Sequence, residues 1–316
     1  MTSDPTKRAP RIAVLAPCYN EEAAIAAVVR DFRAALPSAT VYVYDNNSRD
    51  RTAEVARQAG AVVRAEPLQG KGHVVRRMFA DVDADYYVLV DGDATYDAAS
   101  APAMLARAMD ERLDMVVGAR VSDEAAAYRA GHVLGNRVLT GFVARLFGER
   151  FTDILSGYRV LSRRSVKSFP ALATGFEIET ELTVHALELA MPTAEVATPY
   201  RSRPPGSVSK LNTYRDGVRI LLTILALFKD ERPLAFFTIL FAALSGVSLI
   251  LVWPVIVTFL ETGLVPRLPT AVLATGIMLL GFLSLACGFI LDTVTHGRRE
   301  MKRLAYLAVP AGRDEA

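Results

Sequence analysis

Asp91 and Asp93 close a run of apolar residues in the stretch Val88-Leu-Val-Asp-Gly-Asp-Ala-Thr-Tyr-Asp97. Two carboxylates one residue apart repel each other, and burying either without a positive partner is costly. A divalent cation carrying a phosphorylated ligand answers both problems, because hard cations take carboxylate oxygens and bridge to phosphate. The competing assignment is a helix cap, and Asp97 is given that role. Gly70-Lys71-Gly72 puts a flexible backbone and a cation just before a helix, which suits phosphate. It lacks the full P-loop pattern and reads equally well as a turn with a solvated lysine. The four histidines are scattered, with no His/Cys cluster suited to zinc.

Elements of alternating type must position these groups. Strands are predicted over 11–16, 41–44, 61–64, 86–90 and 114–118, with helices over 21–36, 51–59, 72–79 and 99–109 between them. That alternation predicts an α/β fold with a mostly parallel sheet covered on both faces. Ligands in such sheets bind beyond the carboxyl ends of the strands. Asn20 and Glu21, Asp45 to Asp50, Asp91 and Asp93, and Arg120 all fall at those ends, so one cleft can collect them.

The motifs themselves now carry a resemblance. Ala16-Pro-Cys-Tyr-Asn-Glu-Glu22, Asp45-Asn-Asn-Ser-Arg-Asp-Arg-Thr52, Gly70-Lys-Gly72 and Asp91-Gly-Asp93 resemble, in order, four motifs of family-2 glycosyltransferases of GT-A fold. Asn46 and Asn47 depart from the Asp-Gly usual in the second motif, and Arg51 stands where glycine is common. Val117-Gly-Ala-Arg120, Gly135-Asn-Arg-Val138, Asp153-Ile-Leu-Ser-Gly-Tyr-Arg159 and Arg203-Pro-Pro-Gly-Ser-Val-Ser-Lys210 resemble motifs of the polyprenyl-phosphate group, which includes dolichol-phosphate mannose synthases and bacterial undecaprenyl-phosphate enzymes. The Gln-x-x-Arg-Trp motif of processive polysaccharide synthases is missing.

The resemblance implies a nucleotide-sugar donor, UDP- or GDP-linked, held by Pro17, Tyr19, Asn20, Glu21, Asp45, Lys71 and Asp91, with Mg²⁺ or Mn²⁺ on Asp91 and Asp93. It implies Arg120, Arg137, Arg203 and Lys210 near the phosphate of a polyprenyl phosphate, and an inverting transfer of a hexose. Arginine suits phosphate through its planar fork of donors. A phosphate monoester with a second pKa of about 6 is largely dianionic at neutral pH and needs no strong base. Asp91, Asp93, Arg137 and Asp153 are the catalytic candidates, with Asp153 the base if the acceptor is instead a hydroxyl of a glycolipid or lipopolysaccharide. A further alternative is a membrane-tethered, catalytically silent binding protein or scaffold. Arg159 reads evenly as a ligand residue or as the ion-pair partner of Asp153. Glu177 and Glu181 share one helix face, so at least one is expected in solvent, and Glu179 is left without a role. Arg203 and Lys210 also suit anionic headgroups.

Composition sets the remaining bounds. The chain has 316 residues, a formal net charge of +2 and 52% hydrophobic residues. The charge gives no case for a nucleic-acid partner. The apolar excess lies beyond residue 233, where 234–260 and 271–291 are uncharged and each long enough to span a bilayer. Lys229 and Arg232 precede the first, and Arg298, Arg299, Lys302 and Arg303 follow the second, so the positive-inside rule puts both ends in the cytoplasm at the cytoplasmic membrane. Residues 212–232 suit an interfacial helix, or a helix packed on the domain. The expected order is a polar tail (1–10), the α/β domain (11–211), this helix (212–232), a transmembrane hairpin (233–293) and a basic tail (294–316). Gly281, Ser284 and Gly288 suit helix packing, with a homo-oligomer left open. Cys18 and Cys287 are not expected to pair, and the polar start MTSDPTKRAPR has no secretory pattern.

Overall fold

The computed structural model describes residues 9–121, 140–145, 151–172, 175, 177–202, 222 and 225–310. It divides into two compact units, Met1–Ile220 with Lys302–Ala316, and Leu221–Met301.

The first unit alternates strands and helices: β1 (Ile12–Cys18), α1 (Ile25–Ala35), β2 (Thr40–Asp45), α2 (Thr52–Gln58), β3 (Val62–Ala65), α3 (Lys71–Asp81), β4 (Tyr86–Leu89), α4 (Ala101–Asp110) and β5 (Met115–Val121). β6 (Arg159–Ser162), α5 (Arg163–Ser168), α6 (Ile178–Glu188) and β7 (Thr193–Pro199) complete it. The seven strands form one sheet in the order β3-β2-β1-β4-β6-β5-β7. β1 pairs parallel with β2 and β4, β2 with β3, and β5 with β7, whereas β6 runs antiparallel to both β4 and β5. Six strands therefore point one way and one is reversed. The sheet is mostly parallel, and its central strands are apolar on both faces, as a sheet covered on both sides requires. Val14, Leu15, Val88, Leu89, Val116 and Val160 are fully buried.

The reversed strand matters for function. β6 begins at the edge where β4 and β5 end, so the loop leading into it, residues 151–158, arrives beside Asp91 and Asp93. Arg120, expected just past the fifth strand, lies within it. Asp97 stands at the N-terminus of a 3-10 turn over Ala98–Ser100 that leads into α4, but its carboxylate accepts from the Ser100 hydroxyl (3.0 Å) and pairs with Arg201 (3.2 Å), with no capping hydrogen bond to backbone.

The second unit contains α7 (Pro233–Thr262) and α8 (Leu268–Ala308), the latter continuing into the first unit's residues from Lys302 on. Their most apolar 18-residue windows have mean hydropathies of 2.4 and 2.2 and are 6% and 22% buried, so both helices are long and apolar enough to cross a membrane. Small residues let them meet closely. A Cβ on Gly288 would lie 2.9 Å from the Phe237 Cβ, and the Ser248 hydroxyl donates to the Ala274 carbonyl at 2.7 Å. The small residues singled out in the sequence thus serve the hairpin itself. At its base, Arg298 donates to the Asp230 carbonyl (2.9 Å) and Arg299 pairs with Glu231 (3.2 Å). Most of the expected interfacial helix, 212–232, lies outside the described residues.

Candidate active site

The first wall of the site is laced together by hydrogen bonds between two loops, with an exposed Arg51–Glu22 ion pair (2.6 Å) at its rim. Pro17 and Cys18 at the end of β1 lie in register with Tyr44 and Asp45 at the end of β2. Beyond them, the Asn20 backbone N–H donates to the Ser48 hydroxyl (2.8 Å), and the Asn20 side-chain carbonyl accepts from the Arg49 backbone N–H (2.7 Å). The Glu21 N–H donates to the Thr52 hydroxyl at 2.8 Å. Asn20 and Asn47 have φ of 53° and 62°, left-handed conformations that asparagine tolerates better than most residues. This explains how Asn47 replaces glycine at its position. Asn46, the other departure from the family pattern, acts as a staple. Its amide nitrogen donates to the carbonyls of Glu66 (2.8 Å) and Leu68 (2.7 Å), while its oxygen accepts from the Gly70 N–H (2.7 Å). Asn46 thus ties the end of β2 to the turn carrying Lys71. Gly70 itself has φ of 137°, a conformation that favours glycine. Asp45 accepts from the Ser48 N–H with one oxygen (3.3 Å), and its other oxygen is buried without a hydrogen-bond partner among the described residues.

Lys71 opens α3 and reaches the paired carboxylates. Its ammonium contacts both Asp91 and Glu179. Burial works to lower the Lys71 pKa, but the two carboxylates outweigh it and hold the ammonium above its ordinary value. Asp93 is buried, and its Oδ1 accepts from the Thr95 hydroxyl (2.6 Å) and N–H (3.2 Å). Ala94 between them has φ of 59°, the strained left-handed region that a β-carbon resists. Asp91 packs against Gly157, where an added Cβ would meet its carboxylate oxygens at 2.7 and 2.9 Å. A cavity of about 470 Å³ between α1 and residues 98–102 touches Asp91, Asp97 and Arg201, but Asp45, Lys71 and Asp93 do not line it.

The second wall is held by charge. Arg120 sets its Nε and Nη2 on the two oxygens of Asp153, both at 2.7 Å, and its backbone N–H adds a third bond at 3.2 Å. The partner of Asp153 is therefore Arg120. Arg159 instead is fully buried and donates to the carbonyls of Ser156 (3.0 Å) and Ile154 (2.7 Å), which fixes the loop before β6. Burial lowers its pKa to about 10, against the opposing effect of Glu179 and Asp153, and it stays cationic at neutral pH. Tyr96 accepts the Gly157 N–H at 2.9 Å, which joins this loop to the carboxylate turn. Glu181 accepts the Leu172 N–H at 2.9 Å, and Glu177 precedes the first residue of α6 without a side-chain capping bond. Arg137, Arg203 and Lys210 lie outside the described residues.

Asp91 and Asp93 fit a hard divalent cation. They offer carboxylate oxygens at a strand end, and Asp91 is about one-third exposed. Among the described residues no group of three or more His, Cys, Asp or Glu gathers to hold a metal. Two carboxylates are the set on which Mg²⁺ relies when substrate phosphates supply the other oxygens.

Sequence reasoning missed two features, the Arg120–Asp153 fork and the contact of Glu179 with Lys71. No short-range signal marks either. The paired residues lie 33 and 108 positions apart and meet only through the sheet order.

A seven-stranded mixed sheet with paired carboxylates at a strand end is the frame of a GT-A-type sugar transferase. Residues 13–169 match the model of glycosyl transferase family 2, and the chain belongs to that family. It is 35% identical over 304 residues to the glycosyltransferase AglJ of Haloferax volcanii, covering 94% of this chain and 98% of that protein. It is 29% identical over 222 residues to a dolichyl-phosphate hexose transferase of the same organism, covering 70% of this chain and 95% of that one. Among solved structures, glucosyl-3-phosphoglycerate synthase from Mycobacterium tuberculosis, in complex with Mn²⁺, UDP and glucosyl-3-phosphoglycerate, superposes with a TM-score of 0.58 at 23% identity, covering 70% of this chain and 79% of that one. The chain is a glycosyltransferase.

Proposed function

We propose that the protein transfers a hexose from a nucleotide sugar to a polyprenyl phosphate at the cytoplasmic face of a membrane, with inversion and with Mg²⁺ or Mn²⁺. The observation that carries this reading is the gathering of Asp45, Lys71, Asp91 and Asp93 at one edge of the sheet, in a chain that also has two apolar helices of membrane-spanning length. The names of the relatives point the same way. One is a dolichyl-phosphate hexose transferase, and the solved neighbour binds Mn²⁺ and UDP.

In this reading Asp45 receives the nucleoside. A buried carboxylate oxygen with no hydrogen-bond partner among the described residues gains most from a donor N–H, which a nucleobase supplies. Pro17, Tyr19, Asn20 and Glu21 form the rest of that wall. Asp91 and Asp93 hold the metal, which when bound offsets charge on the diphosphate leaving group. A lipid-phosphate oxygen attacks the anomeric carbon as the bond to the diphosphate breaks, and an α-linked donor gives a β-linked product. The acceptor phosphate is already an anion, so the protein's task is to position it rather than deprotonate it. Arg120, Arg137, Arg203 and Lys210 are assigned that task.

The hydroxyl-acceptor alternative needs a base, and Asp153 is its candidate. Both Asp153 oxygens accept from the Arg120 fork, so taking a proton would break that pair. The same fork holds Arg120, which takes a phosphate only by exchanging Asp153 for it, so the choice between the acceptors rests on the relatives' names and on the assay below. The cationic residues flanking the two spans favour a cytoplasmic catalytic domain and cytoplasmic termini.

The test is transfer from labelled UDP- and GDP-sugars to undecaprenyl phosphate by the full chain in detergent, with Mg²⁺ or Mn²⁺ and with EDTA. A metal-dependent, mild-acid-labile lipid product supports the proposal. Transfer only to an extracted glycolipid replaces it with the hydroxyl-acceptor reading.

A further inference from the structure

We infer that Glu179 is a positioning residue that retains the Lys71 ammonium when Asp91 turns to a divalent cation, so that lysine and metal share the site instead of excluding each other. The inference rests on the metal-dependent reading above and assigns a role to a residue that reading does not use.

The geometry is a lysine between two carboxylates. Lys71 Nζ contacts Asp91 Oδ1 on one side and Glu179 Oε1 on the other. The two sides differ in access. The Asp91 side chain is 30% exposed, Lys71 10% and Glu179 5%. Asp91 is thus the carboxylate that a solute can reach, and Glu179 closes the pair from behind.

A cation held by Asp91 would bring a second positive charge to the carboxylate that Lys71 contacts, and like charges sharing one carboxylate repel strongly where water is mostly excluded. Without a second anion, Lys71 has two outcomes. It either keeps Asp91 and weakens the metal, or it loses its partner and stays buried, at a cost of several kcal/mol. Glu179 offers a third outcome. Its Oε2 is buried and has no hydrogen-bond partner among the described residues. An ammonium has three N–H donors, so Lys71 can turn from Asp91 and place a second bond on Glu179. Arg159 does not compete for that oxygen by direct bonding, because its described hydrogen bonds go to the Ser156 and Ile154 carbonyls and to Met115 Sδ. Glu179 reaches this position because α6 starts beside α3, with Glu179 in its first turn.

The measurement is Mn²⁺ binding to the full chain in detergent, read by loss of the free Mn²⁺ spin-resonance signal, alone and with UDP or GDP. Wild type is compared with Glu179→Gln, Glu179→Asp, Lys71→Gln and the double variant. Glu179→Gln leaves Lys71 with Asp91 alone and weakens Mn²⁺ binding by about 10-fold, and Glu179→Asp recovers part of that loss. In the Lys71→Gln background the same substitution costs less than about 3-fold, because the competitor is gone. An equal loss in both backgrounds, or no loss in Glu179→Gln, overturns the inference while leaving metal-dependent transfer intact. Wild type that binds no Mn²⁺ under any of these conditions overturns the metal reading and this inference together. Thermal melting of each variant separates a folding defect from a change in the site, since the Gln–Gln pair removes both buried charges together and takes the ammonium only from the partly exposed Asp91.

Discussion

The two walls of the site are built by different forces. From β1 to β4, the inner contacts between loops are made by uncharged groups, Asn20 with Ser48 and Arg49, Glu21 with Thr52, and Asn46 with the turn before Lys71, while one ion pair, Arg51 with Glu22, closes the outer rim. From β5 to β7, charge meets charge or carbonyl, in the Arg120–Asp153 fork and in Arg159 on Ile154 and Ser156. The contrast shows where binding capacity is kept. The first wall holds its shape without using its carboxylates fully, and one oxygen of Asp45 takes no hydrogen bond among the described residues. The second wall commits its carboxylate and guanidinium to each other. A wall of the first kind is ready for ligand, whereas one of the second kind must exchange partners to bind.

The largest effect that tests this difference is expected on the first wall. Asp93→Asn keeps the shape and the bonds to Thr95 but removes a charge that the proposed metal site requires. Transfer should fall by at least about 10²-fold, with the fold intact by circular dichroism. Near-wild-type turnover would mean that Asp93 serves the strained turn at Ala94 and not the ligand.

A smaller effect is expected on the second wall. If Asp153 only orients Arg120, Asp153→Asn should cost roughly 10-fold in kcat/KM for the lipid and leave donor binding unchanged, as loss of one charge-assisted pair implies. A general base would cost about 10²- to 10⁴-fold in kcat. Steady-state kinetics with the acceptor varied separates the two outcomes.

The first wall was legible in the sequence because each of its motifs is contiguous and sits at the end of an apolar run. The strands predicted over 11–16, 41–44, 61–64 and 86–90 differ from β1 to β4 by one or two residues at their ends. The second wall was not legible in the same way. β6 is Arg-Val-Leu-Ser, with only two apolar residues between a charged and a polar one, yet its reversal brings Asp153 and Gly157 to the site. In α6 the i, i+4 spacing drew attention to Glu177 and Glu181. The buried carboxylate is Glu179, whose partner lies 108 residues away. Asn46 falls between these cases. Its difference from the family pattern was visible, but its four bonds to the 66–70 segment required the fold. Asn46→Ala should raise the donor KM about 10-fold, worth about 1.4 kcal/mol or one to two neutral hydrogen bonds, with kcat nearly constant. A fall in kcat with donor KM unchanged would place Asn46 with the chemistry and erase the distinction between the walls.

The least effect on neutral-pH transfer is expected further along α6, at His185, where the helix serves only as support. His185 is buried, its ring stacks edge-on with Phe169 at 5.3 Å, and one nitrogen lies 3.2 Å from the Ser168 hydroxyl. Burial, aided by the charge of Lys302, lowers its pKa to about 4 from an ordinary 6.5. Between those values the unfolded chain holds the proton and the folded chain does not. Stability is therefore fully present above pH 6.5 and declines as pH falls toward 4. His185→Phe removes the titrating group and keeps an aromatic ring. Its unfolding midpoint should change less than that of wild type between pH 6.5 and 4, with transfer at neutral pH within about 2-fold. A large loss of transfer at neutral pH would show that support and chemistry are coupled along α6, from His185 up to Glu179, and that the second wall works as one rigid lever rather than as separate charged pairs.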